Sequence, residues 1–173
     1  MSGTTEGPAA PSRRTAARRA AAARSRLRIA LVSGLGGCVV VGTIAGLGTI
    51  LDAALLIAPF GATCVLVFAL PQSPLARPRN VIGGHLLSSA AGLAVLSALG
   101  DGPVAFGVAA GLAIVAMQAT ETLHPPAGAD PILVLATGAG WSFLLVPILV
   151  VSSAIVGAAW CYHRLVSGRR YPG

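Results

Sequence analysis

Apolar residues dominate this chain from residue 29 to residue 162, and short polar or proline-containing connections divide them into six stretches. They cover Ile29–Leu51, Ala53–Leu70, Val81–Gly100, Val104–Thr120, Ile132–Gly140 and Trp141–Tyr162. Most are close to the length of about 20 residues that a helix needs to cross a bilayer. The pattern predicts an all-α polytopic membrane protein.

Two of these stretches are interrupted by proline and glycine. The second contains Pro59-Phe60-Gly61-Ala62, and the short fifth follows Glu121–Pro131, which includes Leu-His-Pro-Pro-Ala-Gly. Proline removes a backbone donor and disfavours helix at the residue before it. We therefore expect broken helices that restart at about Gly61 and about Gly128.

The two breaks belong to an apparent internal repeat. When Pro59–Ala69 is aligned with Pro126–Ala136 at one constant offset, six of eleven residues are identical, and Thr63 faces Asp130. Each half would contain three segments, about 29–100 and about 103–163. Because three crossings are an odd number, the halves would be inverted and the chain would cross six times. The alternative is four full spans plus two re-entrant half-helices.

Composition supports a membrane environment. Of the 173 residues, 55% are hydrophobic and 10% are charged, whereas a soluble domain has about 25% charged residues. The lipid bilayer is therefore the expected partner. The glycine-rich spans favour close helix pairing, which makes a homo-oligomer a further expectation.

The net charge of +7 comes from arginine, since the chain has no lysine. If the N-terminus is cytoplasmic, six crossings place all twelve arginines inside and leave Asp52 and Asp101 outside, as the positive-inside rule requires. We expect a disordered basic cytoplasmic tail over 1–27 (or one that is helical on a lipid surface), a transmembrane domain over 28–163 and a cytoplasmic tail over 164–173. The lysine-free, Ala/Arg-rich composition suggests the plasma (inner) membrane of a bacterium.

Several classes of function are disfavoured by the sequence. The arginines do not alternate with aromatic residues as in a nucleic-acid groove, so no nucleic-acid partner is expected. No Ser/His/Asp arrangement or metal-ligand spacing is recognisable, so neither an enzyme, a metal site nor a cofactor is predicted.

The broken segments are the candidate substrate site. A restarted helix presents free backbone N–H groups and a partial positive charge, and two such starts that meet near the midplane would hold a small inorganic anion. The candidate substrate-binding residues are Pro59, Gly61, Ala62, Thr63, His124, Pro125, Pro126, Gly128, Ala129 and Asp130.

A coupled proton is the second element of this hypothesis. The candidates to carry it are His124, Asp130, His85 and Glu121. Simpler roles stay open for each: Asp130 as a helix cap, His124 as a hydrogen-bonding anchor of the broken backbone, and His85 as a packed neutral side chain.

These motifs resemble the HPP family of integral membrane proteins. The matching residues are His124-Pro125-Pro126-Ala-Gly-Ala, the Pro59-Phe-Gly-Ala segment, and Ser73–Asn80 leading into Gly83-Gly84-His85, which together extend over roughly 29–163. The resemblance implies a small helical membrane protein, usually described as having four helices, and some plastid and cyanobacterial members are linked to nitrite transport.

Two functions follow from these observations. The first is a transporter or channel for a small anion, with nitrite as the leading candidate. The second is a membrane-embedded binding or sensory subunit without flux of its own.

Overall fold

A computed structural model describes residues 13–55 and 57–173, and within these ranges the regular structure is helical. We number the α-helices in chain order. They are α1 (Arg13–Ile50), α2 (Ala58–Cys64), α3 (Pro78–Leu99), α4 (Pro103–Ala119), α5 (Asp130–Thr137) and α6 (Val150–Tyr162).

Short 3₁₀ and π-helical turns extend or precede several of these helices. They are Val65–Ala69 after α2, Pro74–Ala76 before α3, Pro125–Ala129 before α5, Trp141–Leu144 and Leu145–Leu149 before α6, and His163–Ser167 after α6. Among the described residues, three helical segments are long and apolar enough to cross a membrane: Arg13–Ile50, Pro78–Leu99 and Trp141–Ser167. The shorter apolar helices are Ala58–Ala69 and Pro103–Ala119.

The first helix begins before the predicted transmembrane domain. Residues 13–27, expected to be disordered or helical on a lipid surface, continue α1 without a break. Their alanine-rich sequence has high helix propensity, and the apolar span nucleates the helix that they extend. The remainder of that predicted tail, residues 1–12, lies outside the described residues.

Helix α1 packs on the rest of the chain at few points. Its buried residues are Gly36 and Ile44. A Cβ atom at Gly36 would lie 2.5 Å from Cδ1 of Phe68, so this contact requires glycine. The hydroxyl of Tyr162 donates a hydrogen bond to the carbonyl of Val32 and ties α1 to α6.

The helices after the two breaks begin within three residues of the predicted positions, and helical turns start at the prolines themselves. Helix α2 starts at Ala58 rather than at about Gly61, and a 3₁₀ turn starts at Pro125 before α5 begins at Asp130. Proline is favourable in the first turn of a helix because its φ angle is preset and its missing N–H would be unpaired there. The prolines therefore begin these helices instead of preceding them.

Helix α3 is the centre of the molecule. In its most apolar stretch of 18 residues, 50% of the residues are buried, compared with 11% in the corresponding stretch of α1. It contacts α4, α5 and α6, and the chain from 122 to 134 runs alongside it in the same direction: Thr122 lies beside Gly83, and Pro131 beside Gly92. A Cβ atom at Gly92 would lie 2.7 Å from Cα of Pro131, so glycine allows this close approach.

Two apolar cores flank α3. One joins α2, α3 and α6 and includes Phe60, Val67, Phe68, Val81 and Ile155. The other joins α3, α4 and α5 and includes Leu93, Ala105, Ala109, Val134 and Leu135. The buried polar residues described below lie where α2, α3 and the start of α5 meet.

The chain after α6 folds back on the Val65–Ala69 turn that follows α2; we call α2 and this turn together the α2 segment. The Nε2 atom of His163 lies 2.8 Å from the carbonyl oxygen of Val67, and the guanidinium of Arg169 donates to the carbonyls of Phe68 and Ala69. Burial raises the pKa of Tyr171, which packs against His163, to about 12. The predicted tail thus supplies partners for carbonyl groups that a helix end leaves unpaired.

Candidate functional site: a buried Thr–His–His–Asp cluster

Thr63 lies in the middle of a four-residue polar cluster formed by Thr63, His85, His124 and Asp130. Its Oγ1 atom is 2.8 Å from Nε2 of His85 and 2.9 Å from Nε2 of His124. It is also 3.1 Å from the carbonyl oxygen of Pro59, one turn earlier in α2. All four side chains of the cluster have zero solvent exposure.

His85 joins Thr63 to Asp130. Its Nδ1 atom lies 2.7 Å from Oδ2 of Asp130, so its two ring nitrogens contact opposite neighbours. The edge of its ring packs against Phe60 with 5.1 Å between ring centroids. The imidazole is therefore held in orientation by α2 and by the start of α5.

His124 is oriented from the other side. Its Nδ1 atom lies 2.8 Å from the carbonyl oxygen of Leu75. A carbonyl oxygen only accepts, so Nδ1 carries a proton and donates it. This is the backbone-anchoring role that the sequence left open, and His124 performs it while its Nε2 faces Thr63.

The chain reaches His124 through a sharp turn after α4. Glu121 adopts φ = 54°, in the left-handed region that non-glycine residues seldom occupy. The side-chain amide of Asn80 donates to the carbonyl of Leu123 over 3.0 Å and holds the turn against α3. His124 itself is extended, as expected for a residue before proline.

Asp130 is the first residue of α5, and its carboxyl lies in the first turn of that helix. Capping was one of the roles that the sequence left open, and among the described residues its hydrogen bonds go to α3 instead. Its Oδ2 atom accepts from Ser89 over 3.3 Å and contacts His85, while Oδ1 has no hydrogen-bond partner among the described residues. A buried carboxylate is costly unless it is paired or protonated, and His85 is the group that can pair with it.

The structure brings together one part of the predicted site. Thr63, His124, Asp130 and the carbonyl of Pro59 meet, and His85 joins them. Thr63 and Asp130, which the internal alignment places opposite each other, contact the two nitrogens of this one imidazole.

The remaining predicted residues do not contact this cluster by hydrogen bonds. Pro126 is buried nearby, whereas Ala62, Pro125 and Ala129 are exposed and Gly61 and Gly128 are half-buried. A Cβ atom at either glycine would meet nothing within 4 Å, so neither backbone position is closely packed.

Glu121 also stands apart from the cluster. Its carboxylate lies 3.8 Å from the guanidinium of Arg79, and both side chains are largely exposed. Such a pair is screened by solvent and contributes at most about 1 kcal/mol to stability.

Two serines and one carbonyl complete the site and were not predicted as site residues. Ser89 donates to Asp130, Ser88 donates to the carbonyl of Ala127, and Leu75 binds His124. The serines follow His85 by three and four residues and therefore share its helix face. The sequence shows that spacing and could have predicted the two serines. It could not have predicted the contact of Leu75, because every residue has a backbone carbonyl.

The arrangement is a chain of hydrogen bonds. Within the part of the protein that the structure describes, no group of three or more His, Cys, Asp or Glu residues is placed to hold a metal ion. The Nε2 atoms of both histidines point to the Thr63 hydroxyl instead. The chemistry that this geometry offers is the storage and movement of protons.

Comparisons with known proteins identify relatives. The family model described as "HPP, transmembrane region" matches residues 22–172. The chain is similar to two Dictyostelium discoideum proteins, Transmembrane protein DDB_G0269096 (38% identical over 125 residues) and Transmembrane protein DDB_G0273707/DDB_G0273361 (34% identical over 125 residues). Each alignment covers 68% of this chain, and 44% and 40% of the respective relatives, so the chain spans less than half their length. No solved structure matches the chain.

Proposed function

Because this chain belongs to the HPP family of transmembrane proteins, we propose that it transports a small anion, with nitrite as the leading candidate, and that the buried cluster carries a coupled proton. Transport, and not catalysis, is the activity proposed. The anion class comes from the family resemblance and from the helix starts at the two breaks, where α2 contacts the Pro125–Ala129 turn.

The contact between His85 and Asp130 is the observation that carries this proposal. Burying an ionisable side chain inside the bilayer costs free energy, and such side chains commonly mark proton or ion pathways. Here two of them face each other at 2.7 Å with zero exposure, next to a second buried histidine. If these residues served only to pack the core, apolar residues of similar volume would do so at a lower cost in desolvation free energy.

Proton coupling also answers the main objection to an anion path. An ionised Asp130 would repel an anion at the start of α5, but a proton shared with His85 cancels that charge. An anion that moves together with a proton also crosses the bilayer without net charge. Both effects favour symport of the anion and a proton.

We propose six traverses for the transmembrane arrangement, with both termini on one side. Support comes from the segment 122–134, which follows α3 from Gly83 to Gly92, and from the Val65–Ala69 turn after α2, which contacts His163. The arginine distribution supports cytoplasmic termini. A bacterial plasma membrane and a homo-oligomer stay predictions from composition, since the relatives named above come from Dictyostelium.

Flux measurements test the proposed function. Purified protein is reconstituted into liposomes, and uptake of nitrite, nitrate, formate and chloride is compared with that of protein-free liposomes. We expect nitrite uptake above background, increased by an inward proton gradient. Absence of flux for all four anions, in protein shown to be folded, would favour the alternative of a binding or sensory subunit.

A further inference from the structure

The hydroxyl of Thr63 has one proton and three neighbours. Two of them, Nε2 of His85 and Nε2 of His124, can either donate or accept, and the third, the carbonyl of Pro59, only accepts. The hydroxyl can therefore donate in one of three directions and accept from the others. Which direction it takes depends on the protons carried by the two histidines.

The two ends of this chain of hydrogen bonds, at Nδ1 of His124 and at the His85–Asp130 contact, have fixed roles. Nδ1 of His124 donates to the carbonyl of Leu75 in every state, because that oxygen cannot donate. Nδ1 of His85 and Oδ2 of Asp130 share one proton, because two bare acceptors 2.7 Å apart would repel each other. The protonation of the two Nε2 atoms is therefore what varies.

The neutral cluster has two arrangements that differ by one transfer. In the first, Nε2–H of His85 donates to Thr63, and Thr63 donates to the bare Nε2 of His124. The proton on Nε2 of His85 then moves to Oγ1 of Thr63 while the hydroxyl proton moves to Nε2 of His124. In the second, Nε2–H of His124 donates to Thr63, which donates to His85. No proton is gained or lost, but His124 is now an imidazolium and the His85–Asp130 pair carries one negative charge.

A third arrangement holds one more proton. When both Nε2 atoms are protonated, both donate to Oγ1 of Thr63, and the hydroxyl turns to donate to the carbonyl of Pro59, 3.1 Å away. All the hydrogen bonds remain complementary, although the cluster now carries an extra positive charge. The carbonyl of Pro59, at the start of α2, is thus the acceptor that allows the cluster to bind one additional proton.

We propose that Thr63 is a three-way proton switch, which passes a proton between His85 and His124 and lets the cluster take up one additional proton. The proposal rests on the proposed function, since it describes how the coupled proton is held. Other ionisable groups on the packed segments are Cys64 of α2, Arg79 of α3 and Glu121 after α4, and the last two form the exposed pair. The rings of the two histidines also contact each other with 5.1 Å between centroids, and Thr63 is the group that lies within hydrogen-bond distance of both Nε2 atoms.

Substitutions of Thr63 test the switch by function. Thr63→Val keeps the shape but removes the hydroxyl, and Thr63→Ser restores it. We expect Thr63→Val to lower proton-gradient-driven anion uptake about tenfold or more, and Thr63→Ser to stay within about twofold of the wild type. Thr43→Val is the matched control, because Thr43 also donates to the carbonyl four residues earlier but lies in α1. Full gradient-driven uptake by Thr63→Val would overturn the proposal.

Nitrogen NMR of ¹⁵N-histidine-labelled wild-type protein tests the same proposal without transport. We expect Nδ1 of His124 to be protonated throughout, one of the two cluster Nε2 atoms to be protonated at neutral pH, and both at lower pH. A bare Nδ1 on His124, or acidification that leaves both Nε2 signals unchanged, would contradict the switch. Wild-type protein without any anion flux would instead contradict the proposed function, so the two failures are distinguishable.

Discussion

At the scale of single residues, the cluster depends on glycine in α3. A Cβ atom at Gly84 would lie 2.7 Å from Cβ of His124 and 3.0 Å from the carbonyl oxygen of Thr122. Only hydrogen fits there without displacing the backbone that carries His124. The His-Pro-Pro segment therefore reaches Thr63 because α3 offers no side chain at this position.

Replacing Gly84 by alanine should thus weaken both packing and the site. Overpacking of a filled interior costs about 1–3 kcal/mol, so we expect a lower midpoint of thermal unfolding in detergent and reduced coupled uptake. Gly61→Ala is the matched control, since its Cβ would meet nothing within 4 Å. Equal unfolding midpoints for the two variants would show that the contact at Gly84 is not restrictive.

The sequence identified the polar residues of the site better than its glycines. His124, Asp130, Thr63 and His85 stood out because polar residues are rare in these apolar stretches. Gly61 and Gly128 were singled out because they lie at the breaks, yet the glycines that allow the His124 segment to approach closely are Gly84 and Gly92 in α3. Close approach depends on which segments meet, and a single sequence does not encode that in its local pattern.

At the scale of elements, the short α2 segment is held at its end by the chain after α6. Arg169 donates to the carbonyls of Phe68 and Ala69, and His163 contacts that of Val67. These groups replace the intrahelical partners that the end of a helix lacks. The position of Thr63 is thereby coupled to residues about 100 positions later in the chain.

Removing the Arg169 contacts should loosen this end of the segment. A hydrogen bond to a charged group contributes about 1.5–3 kcal/mol, so Arg169→Gln should make amide exchange over residues 65–70 about tenfold faster or more. Exchange followed by mass spectrometry measures the change. Arg170→Gln is the control, because Arg170 is exposed. Unchanged exchange in Arg169→Gln would mean that the segment end is stable without this contact.

The local sequence pattern predicts some helix boundaries well and others poorly. The spans α3 and α4 were predicted to within a few residues because their apolar runs are continuous and end in turns. The starts after the breaks were misplaced because a proline can either end a helix or begin one. The 3₁₀ turn at Pro125–Ala129 resolves that ambiguity in favour of beginning one.

At the scale of the whole molecule, the proposed crossing of the broken segment is supported by its contacts along α3. Thr122 lies beside Gly83, and Val134 lies beside Gly92. The segment therefore advances in the same direction as the central part of α3. The Ile132–Gly140 stretch is too short to cross a bilayer alone, so the proposed six traverses require the preceding polar residues to share its traverse.

Cysteine labelling distinguishes the two topologies. With the three native cysteines replaced by alanine, single cysteines are introduced as Asp101→Cys, Gly140→Cys and Arg170→Cys. Six traverses predict that positions 101 and 140 react with an impermeant maleimide from outside and that position 170 reacts only from inside. Reaction of position 140 from the same side as position 170 would establish the re-entrant arrangement instead.

The most direct measurement of the central claim is nitrite-dependent proton movement. Liposomes that contain the protein and an internal pH dye are given nitrite at alkaline pH, where almost all of it is the anion, and protein-free liposomes report leakage of the neutral acid. We predict internal acidification above this background for the wild type and for Asp101→Asn, and none above it for Asp130→Asn. Nitrite uptake by the wild type without additional acidification, or wild-type acidification in Asp130→Asn, would contradict the account.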